Sequence, residues 1–451
     1  RRQYGDELYQ VMCEVKQLFD PRGLLNAGTI ISDDPELYLK HIKVNPSIEE
    51  EVDRCTSCGY CEPVCPSRSL TLTPRQRIAV RREIELLEMA GDADAVARLE
   101  KEFDYQVVHT CAVDGMCGTA CPVKINTGLL VKKLRREKTT PAATKAVWTT
   151  LSKHWKGTTG TFSAVMSLTD ALPGPLESAL IGVDKGARAV LGKDNVPLWS
   201  RELPGGGAKR RRPEPLGEVT AVYLPACVNV MFGPLEGQGV QLSFEALCAR
   251  AGVSLLVPEE IESLCCGTPW SSKGIPKGYE EMKAKVLPVI RAATDNGRLP
   301  VVCDASSCTE GFLHMIQSDP SLQVEVIDAV SFVARHVLPV LGAYQKIESV
   351  TLHPTCSSTQ LGINPDLMKV AQATAEQVNV PLDWGCCAFA GDRGMLHPEL
   401  TAAATAPEAA EVARLGAAAH ASLNRTCELG MTRATGQPYR HILELLAEQV
   451  T

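Results

Sequence analysis

CTSCGYCEPVCP, residues 55–66, places cysteines at Cys55, Cys58, Cys61 and Cys65, with Pro66 directly after the last. The spacing C-x2-C-x2-C-x3-C-P lets three sulfurs converge from one short loop while the fourth is directed elsewhere. Iron bridged by sulfide takes soft thiolate donors. In this pattern three close cysteines hold one four-iron cluster and the fourth ligates a second. A structural zinc site would instead present paired CxxC knuckles. RQRIAVRREIELLEM (75–89) and DADAVARLEKEF (92–103) carry apolar residues at helical spacing with no strand pattern between them. The thiolates are therefore expected in loops between helices.

A second run, CAVDGMCGTACP (111–122), has the same layout with one change: Asp114 stands where the middle cysteine belongs. Cross-ligation then assigns a first 4Fe-4S cluster to Cys55, Cys58, Cys61 and Cys121. A second falls to Cys65, Cys111 and Cys117, with Asp114 or no protein ligand at its fourth iron. Three readings of Asp114 stay open. It is an oxygen ligand, a harder donor than thiolate that leaves the iron at that corner more labile. It is a bystander to a 3Fe-4S cluster or a water-ligated iron. Or it caps the next turn and the second cluster is lost.

The chain has 451 residues, which predicts two to four domains, and 45% of them are hydrophobic. A formal net charge of −7 argues against nucleic acid as a partner. KRRR at 209–212, between GGG and RPEP, reads as a solvated linker. No apolar run is long enough to cross a membrane. Position 1 is Arg, in mid-pattern, so a fragment or late-starting frame is expected. Most of the 18 cysteines fall in tight motifs, including two CC pairs, with a few singles. That pattern points to metal in a reducing, cytoplasmic compartment rather than to disulfides.

Residues 1–40 hold one amphipathic helix, Asp6–Phe19, and a turn at Pro21 and Gly23. This is too little to bury a core, so the segment is expected to be the tail of something larger. Residues 47–137 form the cysteine-and-helix module, and 138–216 a helical linker region. From residue 217 short apolar runs alternate with helical ones, the signature of an α/β fold with parallel strands. There is also an internal repeat. YLPACVNVMFG, SLCCGTPWSSKG and CDASSCTEGF recur as TLHPTCSSTQLG, WGCCAFAGDRG and LNRTCELGM. Two duplicated α/β cysteine-rich domains, 217–345 and 346–451, are the simplest account. The expected class is thus α + α/β.

The first copy offers Cys227, Cys265, Cys266, Cys303 and Cys308. The second offers Cys356, Cys386, Cys387 and Cys427. A CC pair repeated with the same flanking cysteines signals a metal site, and helix starts favour the thiolate form. Cys13 and Cys248, alone on helical patterns, read as packed free thiols. His353 and His397 read as structural or surface residues. Asp392 and Arg393 form either a turn ion pair or part of a pocket.

LFDPRGLLNAG (18–28) resembles the last segment of FAD-linked oxidases of the vanillyl-alcohol oxidase type, with Ala27 in place of the usual proline. The two ferredoxin-like runs resemble the α-helical module of FAD- and iron–sulfur-containing D-2-hydroxyacid dehydrogenases, the D-lactate dehydrogenase (cytochrome) family. The CC domains are similar to those of heterodisulfide reductase and glycolate oxidase iron–sulfur subunits, and CCGTPWSSKG, CCAFAGDRG and NRTCELGMT fit the D-lactate group best. The wider family ends its motif in CxxC, whereas here Ala305 and Asn424 replace the first cysteine. The resemblance implies an electron-exit half that takes electrons from FAD held by a partner domain or subunit, with Asn26 near the flavin. Electrons would pass to a quinone or cytochrome, the chain resting at most peripherally on the inner membrane face. A further cluster or zinc in the cysteine-rich domains is also implied. Two other expectations are a separate iron–sulfur subunit and a zinc-stabilised scaffold without redox activity.

Overall fold

The architecture was obtained as a computed structural model, which describes every residue except His41, Lys43, Ala343 and Thr451. The chain divides into two compact units, residues 1–47 and 48–451.

In the first unit the helix Gly5–Phe19 has no buried residue. Its apolar positions Leu8, Val11, Val15 and Leu18 recur at helical spacing and are all exposed, as is Phe19. The Asp20 carboxylate closes the helix. It accepts the Leu24 and Leu25 amides and pairs with the Lys16 ammonium at 2.6 Å. Asn26 is exposed in left-handed backbone (φ 45°), its side-chain oxygen accepting from the Thr29 hydroxyl.

The second unit begins with the cysteine loops, held between the helices Pro74–Ala90, Ala93–Phe103 and Thr127–Leu134. Thr73 opens the first of these with a capping box to Gln76, and Pro74 follows at the position where a missing N–H costs nothing. Val52, Ile78, Val108, Leu130 and Val131 make a small core beneath the loops. Three helices then follow, Ala142–Lys153, Trp155–Asp170 and Gly174–Leu191.

Two four-stranded sheets complete the unit. The first contains β1 (Ala221–Leu224), β2 (Leu255–Leu256), β3 (Val301–Cys303) and β4 (Val326–Asp328). The second contains β5 (Ile347–Leu352), β6 (Ala375–Asn379), β7 (Ala419–Ser422) and β8 (Tyr439–His441). All pairings are parallel, and the orders β2-β1-β3-β4 and β6-β5-β7-β8 are the same topology twice. The α + α/β class read from the sequence is the class observed. One apolar core runs through both domains, from Val222 and Val301 to Val350, Leu352 and Ile442. Side chains stitch the seam: the Ser306 and Thr355 hydroxyls meet at 2.8 Å, and Ser307 donates to Asn424.

The stretch 196–215 corrects one expectation. It has neither helix nor strand, yet it is no solvated linker. Gly207 donates its amide to the Val230 carbonyl, and its own carbonyl accepts from Ser163. A Cβ at Gly207 would sit 1.8 Å from the Asn229 oxygen, so only glycine allows this approach. Arg210, from the basic run, is buried and donates to the carbonyls of Pro225 and Leu264.

Candidate metal centres

The two cysteine runs of the module share a backbone. In the first loop Ser57 and Gly59 take φ of 59° and 88°. In the second Val113 and Gly115 take 55° and 73°. Cys58 and Asp114 each stand between two left-handed residues, so Asp114 occupies the middle cysteine's place in shape as well as in order. Cys58 is exposed, Cys55, Cys61 and Cys121 are half-buried, and Cys65, Cys111 and Cys117 are buried. Cys61 has Cys55 as a charged neighbour, and Cys55 and Cys121 flank the same small core.

Cys65, Cys111, Cys117 and Asp114 form one electrostatic group. Burial pushes the Cys65 thiol up and the Cys117 thiol to about 12, and the neighbouring Asp114 charge adds to both. Asp114 is half-buried as a residue, but its carboxyl is inside, with Oδ2 shielded from solvent and without a hydrogen-bond partner. Burial raises this carboxyl to about 6, opposed by the nearby Cys386 thiol, the Arg77 charge and the Met116 amide. Gln360 donates to the Asp114 carbonyl at 2.5 Å, tying the loop to the second cysteine-rich domain. A Cβ on Gly115 would lie 2.7 Å from that Gln360 side chain.

Three buried arginines hold the loops. Arg77 donates to the Ser67 hydroxyl and the Thr110 carbonyl. Arg82 donates to the carbonyls of Asp53 and Cys55. Arg135 donates to those of Val108, Cys111 and Ser272. Among the described residues none of the three has a carboxylate at ion-pair distance. A buried guanidinium needs compensating negative charge. Here the nearest sources include the cysteine sulfurs, Cys65 beside Arg77 and Cys111 beside Arg135. A thiolate-ligated, net anionic iron–sulfur cluster supplies that charge, so the donor set and its surroundings fit such a group.

The duplicated domains each gather four sulfurs at the carboxyl ends of their strands, where open α/β sheets place their sites. In the first, Cys227 follows β1 and lies 3.7 Å, sulfur to sulfur, from Cys265. The neighbouring Cys265 and Cys308 thiols hold Cys266 well below the usual thiol range despite burial, and its sulfur meets the Thr268 hydroxyl at 3.2 Å. Cys308 lies in the first turn of the helix Ser306–Gln317. Cys303 ends β3 fully buried, with Cys266 and Cys308 as charged neighbours. The Arg210 guanidinium faces Cys227 and Cys265.

In the second domain Cys386 lies beside Cys356, and the sulfurs of Cys387 and Cys427 lie within 4.8 Å of each other. The first cysteine of each CC pair thus meets the one after the first strand, and the second meets the late one. Cys356 opens the helix Cys356–Gln360, which Thr355 caps through the Ser358 amide. Ser422 stands where the first copy has Cys303. Cys248 is a buried core thiol, and Cys13 is half-buried on its helix. His397 is buried and pairs with Asp194 at 2.8 Å. Asp392 pairs with Lys273 of the first domain at 2.5 Å rather than with its neighbour Arg393. His353 lies against Cys387 and Cys427. Sequence reading passed over the arginine clamps, although Arg77 and Arg82 fall on the apolar side of their helix pattern, a signal that could have marked them.

Residues 51–125 match the family model of the 4Fe-4S dicluster domain. No curated protein matches the chain. The match identifies this segment as an iron–sulfur module and gives the chain an electron-transfer role. No described helix is long and apolar enough to cross a membrane.

Proposed function

We propose that this chain is the electron-exit half of an FAD-dependent D-2-hydroxyacid dehydrogenase of the D-lactate type. The observation that carries the reading is the contact of the dicluster module with the second cysteine-rich domain, through Gln360 on the Asp114 carbonyl and Ala112 against Cys386, inside one compact unit. Iron–sulfur centres in the module accept and release single electrons when bound. The chain's own residues do the rest. Cys55, Cys58, Cys61 and Cys121 would hold the first centre, and Cys65, Cys111 and Cys117 the second, with Asp114 as an oxygen donor to it. Arg77, Arg82 and Arg135 fix the loops and offset their negative charge, and burial tunes the potentials.

The exposed apolar face of the helix Gly5–Phe19 supports a flavin-binding partner domain, since it has no cover within its own unit. The partner would oxidise the hydroxy acid and pass electrons into the module. A quinone or cytochrome would receive them, with any membrane attachment peripheral. The test is iron and acid-labile sulfide analysis of the purified chain, then D-lactate-dependent bleaching of its visible absorption with and without an added flavoprotein domain. Iron with sulfide, and bleaching only with the flavoprotein, is expected. Zinc without sulfide, or D-lactate turnover by the chain alone, would overturn the reading.

A further inference from the structure

The two quartets are copies, yet one position in them has diverged in kind. The first copy reads Leu224-Pro225-Ala226-Cys227 and the second His353-Pro354-Thr355-Cys356. Leu224 is a fully buried core residue, while His353, equally buried, brings an imidazole to the edge of its sulfur set.

His353 is rigidly placed. Its amide donates to the Ala421 carbonyl at 2.8 Å, extending the β5–β7 pairing by one residue. Its carbonyl accepts from the Ser422 hydroxyl. Nδ1 lies 2.8 Å from Oε1 of Glu408, on the helix Pro398–Leu415, and both side chains are at most 1% exposed. That leaves Nε2, which is buried and has no nitrogen or oxygen partner. It points at sulfur: one ring nitrogen of His353 and the sulfurs of Cys387 and Cys427 all lie within 4.8 Å of one another.

From this geometry we infer that His353 Nε2 is a metal ligand, making the second quartet a mixed imidazole–thiolate site for a first-row divalent ion, while the first stays all-sulfur. The inference rests on the reading of the second quartet as a metal-holding set. Three features carry it. A metal-binding histidine regularly gives its other ring N–H to a carboxylate, which fixes the ring and its tautomer, and Glu408 stands in that place. With no nitrogen or oxygen partner, the buried Nε2 is left facing sulfur, and an ion between the ring and the two sulfurs would take its lone pair. And imidazole with two thiolates suits zinc or ferrous iron, leaving one position for a fourth donor. The first quartet's cation, Arg210, has no lone pair to give, so it can only balance charge there.

The test uses the full chain, one preparation loaded with zinc and another with iron and sulfide. Metal content is measured for the wild type, His353→Ala, His353→Cys and a Cys387→Ser/Cys427→Ser double variant. X-ray absorption reads the zinc shell. Electron-spin-echo spectroscopy of reduced protein labelled with 15N-histidine reads the iron. Expected are nitrogen at about 2.0–2.1 Å beside sulfur, or the matching nitrogen coupling, its loss in His353→Ala with at least tenfold weaker retention, and an all-sulfur shell in His353→Cys. Second-domain metal bound by sulfur alone in the wild type overturns the inference and leaves the metal-holding reading intact. Metal retained in full by the double cysteine variant sinks that reading and the inference with it. If His353→Ala does not fold, the wild-type spectrum still decides. The other histidine group close enough to share an ion, His109, Asp194 and His397, contains no sulfur.

Discussion

Gln360 of the second cysteine-rich domain donates to the Asp114 carbonyl at 2.5 Å, joining the second ferredoxin loop to that domain, where Ala112 shares a small core with Cys386. Because the Asp114 loop repeats the backbone of the Cys58 loop, a thiol fits there without rearrangement. Asp114→Cys should therefore fold normally and change the electron-spin-resonance signal of one cluster, leaving the one we assign to Cys55, Cys58, Cys61 and Cys121 as it was. Asp114→Asn keeps the shape and removes the charge, so it should make the same cluster lose an iron more readily. An unchanged spectrum in both variants would show that Asp114 is not a ligand.

Arg135 is the clamp with most to lose. Its guanidinium satisfies three carbonyls, including Cys111 in the loop and Ser272 in the first cysteine-rich domain. Arg135→Ala would leave them unpaired in a dry interior, at about 1–3 kcal/mol for each acceptor that water does not reach. A loss of at least about 3 kcal/mol is expected in denaturant unfolding. Iron should leave the Cys65, Cys111 and Cys117 site first.

The CC pairs themselves turn through left-handed backbone, Gly267 at φ 81° after the first and Ala388 at φ 57° after the second. The two positions are equivalent but not interchangeable. A Cβ on Gly267 would lie 2.6 Å from the Tyr279 ring and 2.9 Å from the Met315 methyl. Gly267→Ala should cost on the order of 1–3 kcal/mol and disturb the Cys265–Cys266 geometry. Ala388→Gly relieves strain and should be neutral or slightly stabilising. Thermal unfolding of the two variants side by side gives the comparison. Equal effects would mean that contact with Tyr279 and Met315 is not what sets the cost.

What was legible in the sequence was what is local. The spacing of Cys55, Cys58, Cys61 and Cys65 is contained in one loop, and Asp114 could be matched to Cys58 by counting. The duplication was legible because the same short strands and cysteines recur in the same order. The partners of those residues were not legible, because the chain brings them from far away. Nothing near Asp114 announces Cys386 or Gln360. Nothing in KRRR says that Arg210 turns inward while its neighbour Arg211 stays exposed. His353 looked like an ordinary strand-end histidine until the helix Pro398–Leu415 placed Glu408 behind it. Charges that enter an interior do so where the fold supplies partners, and those partners are a property of the packing.

His441 makes the fold sensitive to acid at a point away from the sulfurs. Its Nδ1 accepts the Leu443 amide and caps the helix Ile442–Gln449, so the ring must be unprotonated at that atom. Backbone of Asp304 and of Leu423, one residue from each domain, lies beside the ring. Burial, with Arg425 adding to it, holds His441 down at about 3, against an ordinary 6.5. The folded value lies below the unfolded one, so as pH falls the unfolded chain takes up the proton first. The contribution is therefore intact above pH 6.5 and is lost progressively toward pH 3. At about 1.4 kcal/mol per pH unit the loss across that window is at most on the order of 5 kcal/mol. His441→Asn keeps a capping oxygen and cannot titrate. Its unfolding free energy should be flatter between pH 6.5 and 4 than that of the wild type. Parallel profiles would place the acid sensitivity on other groups.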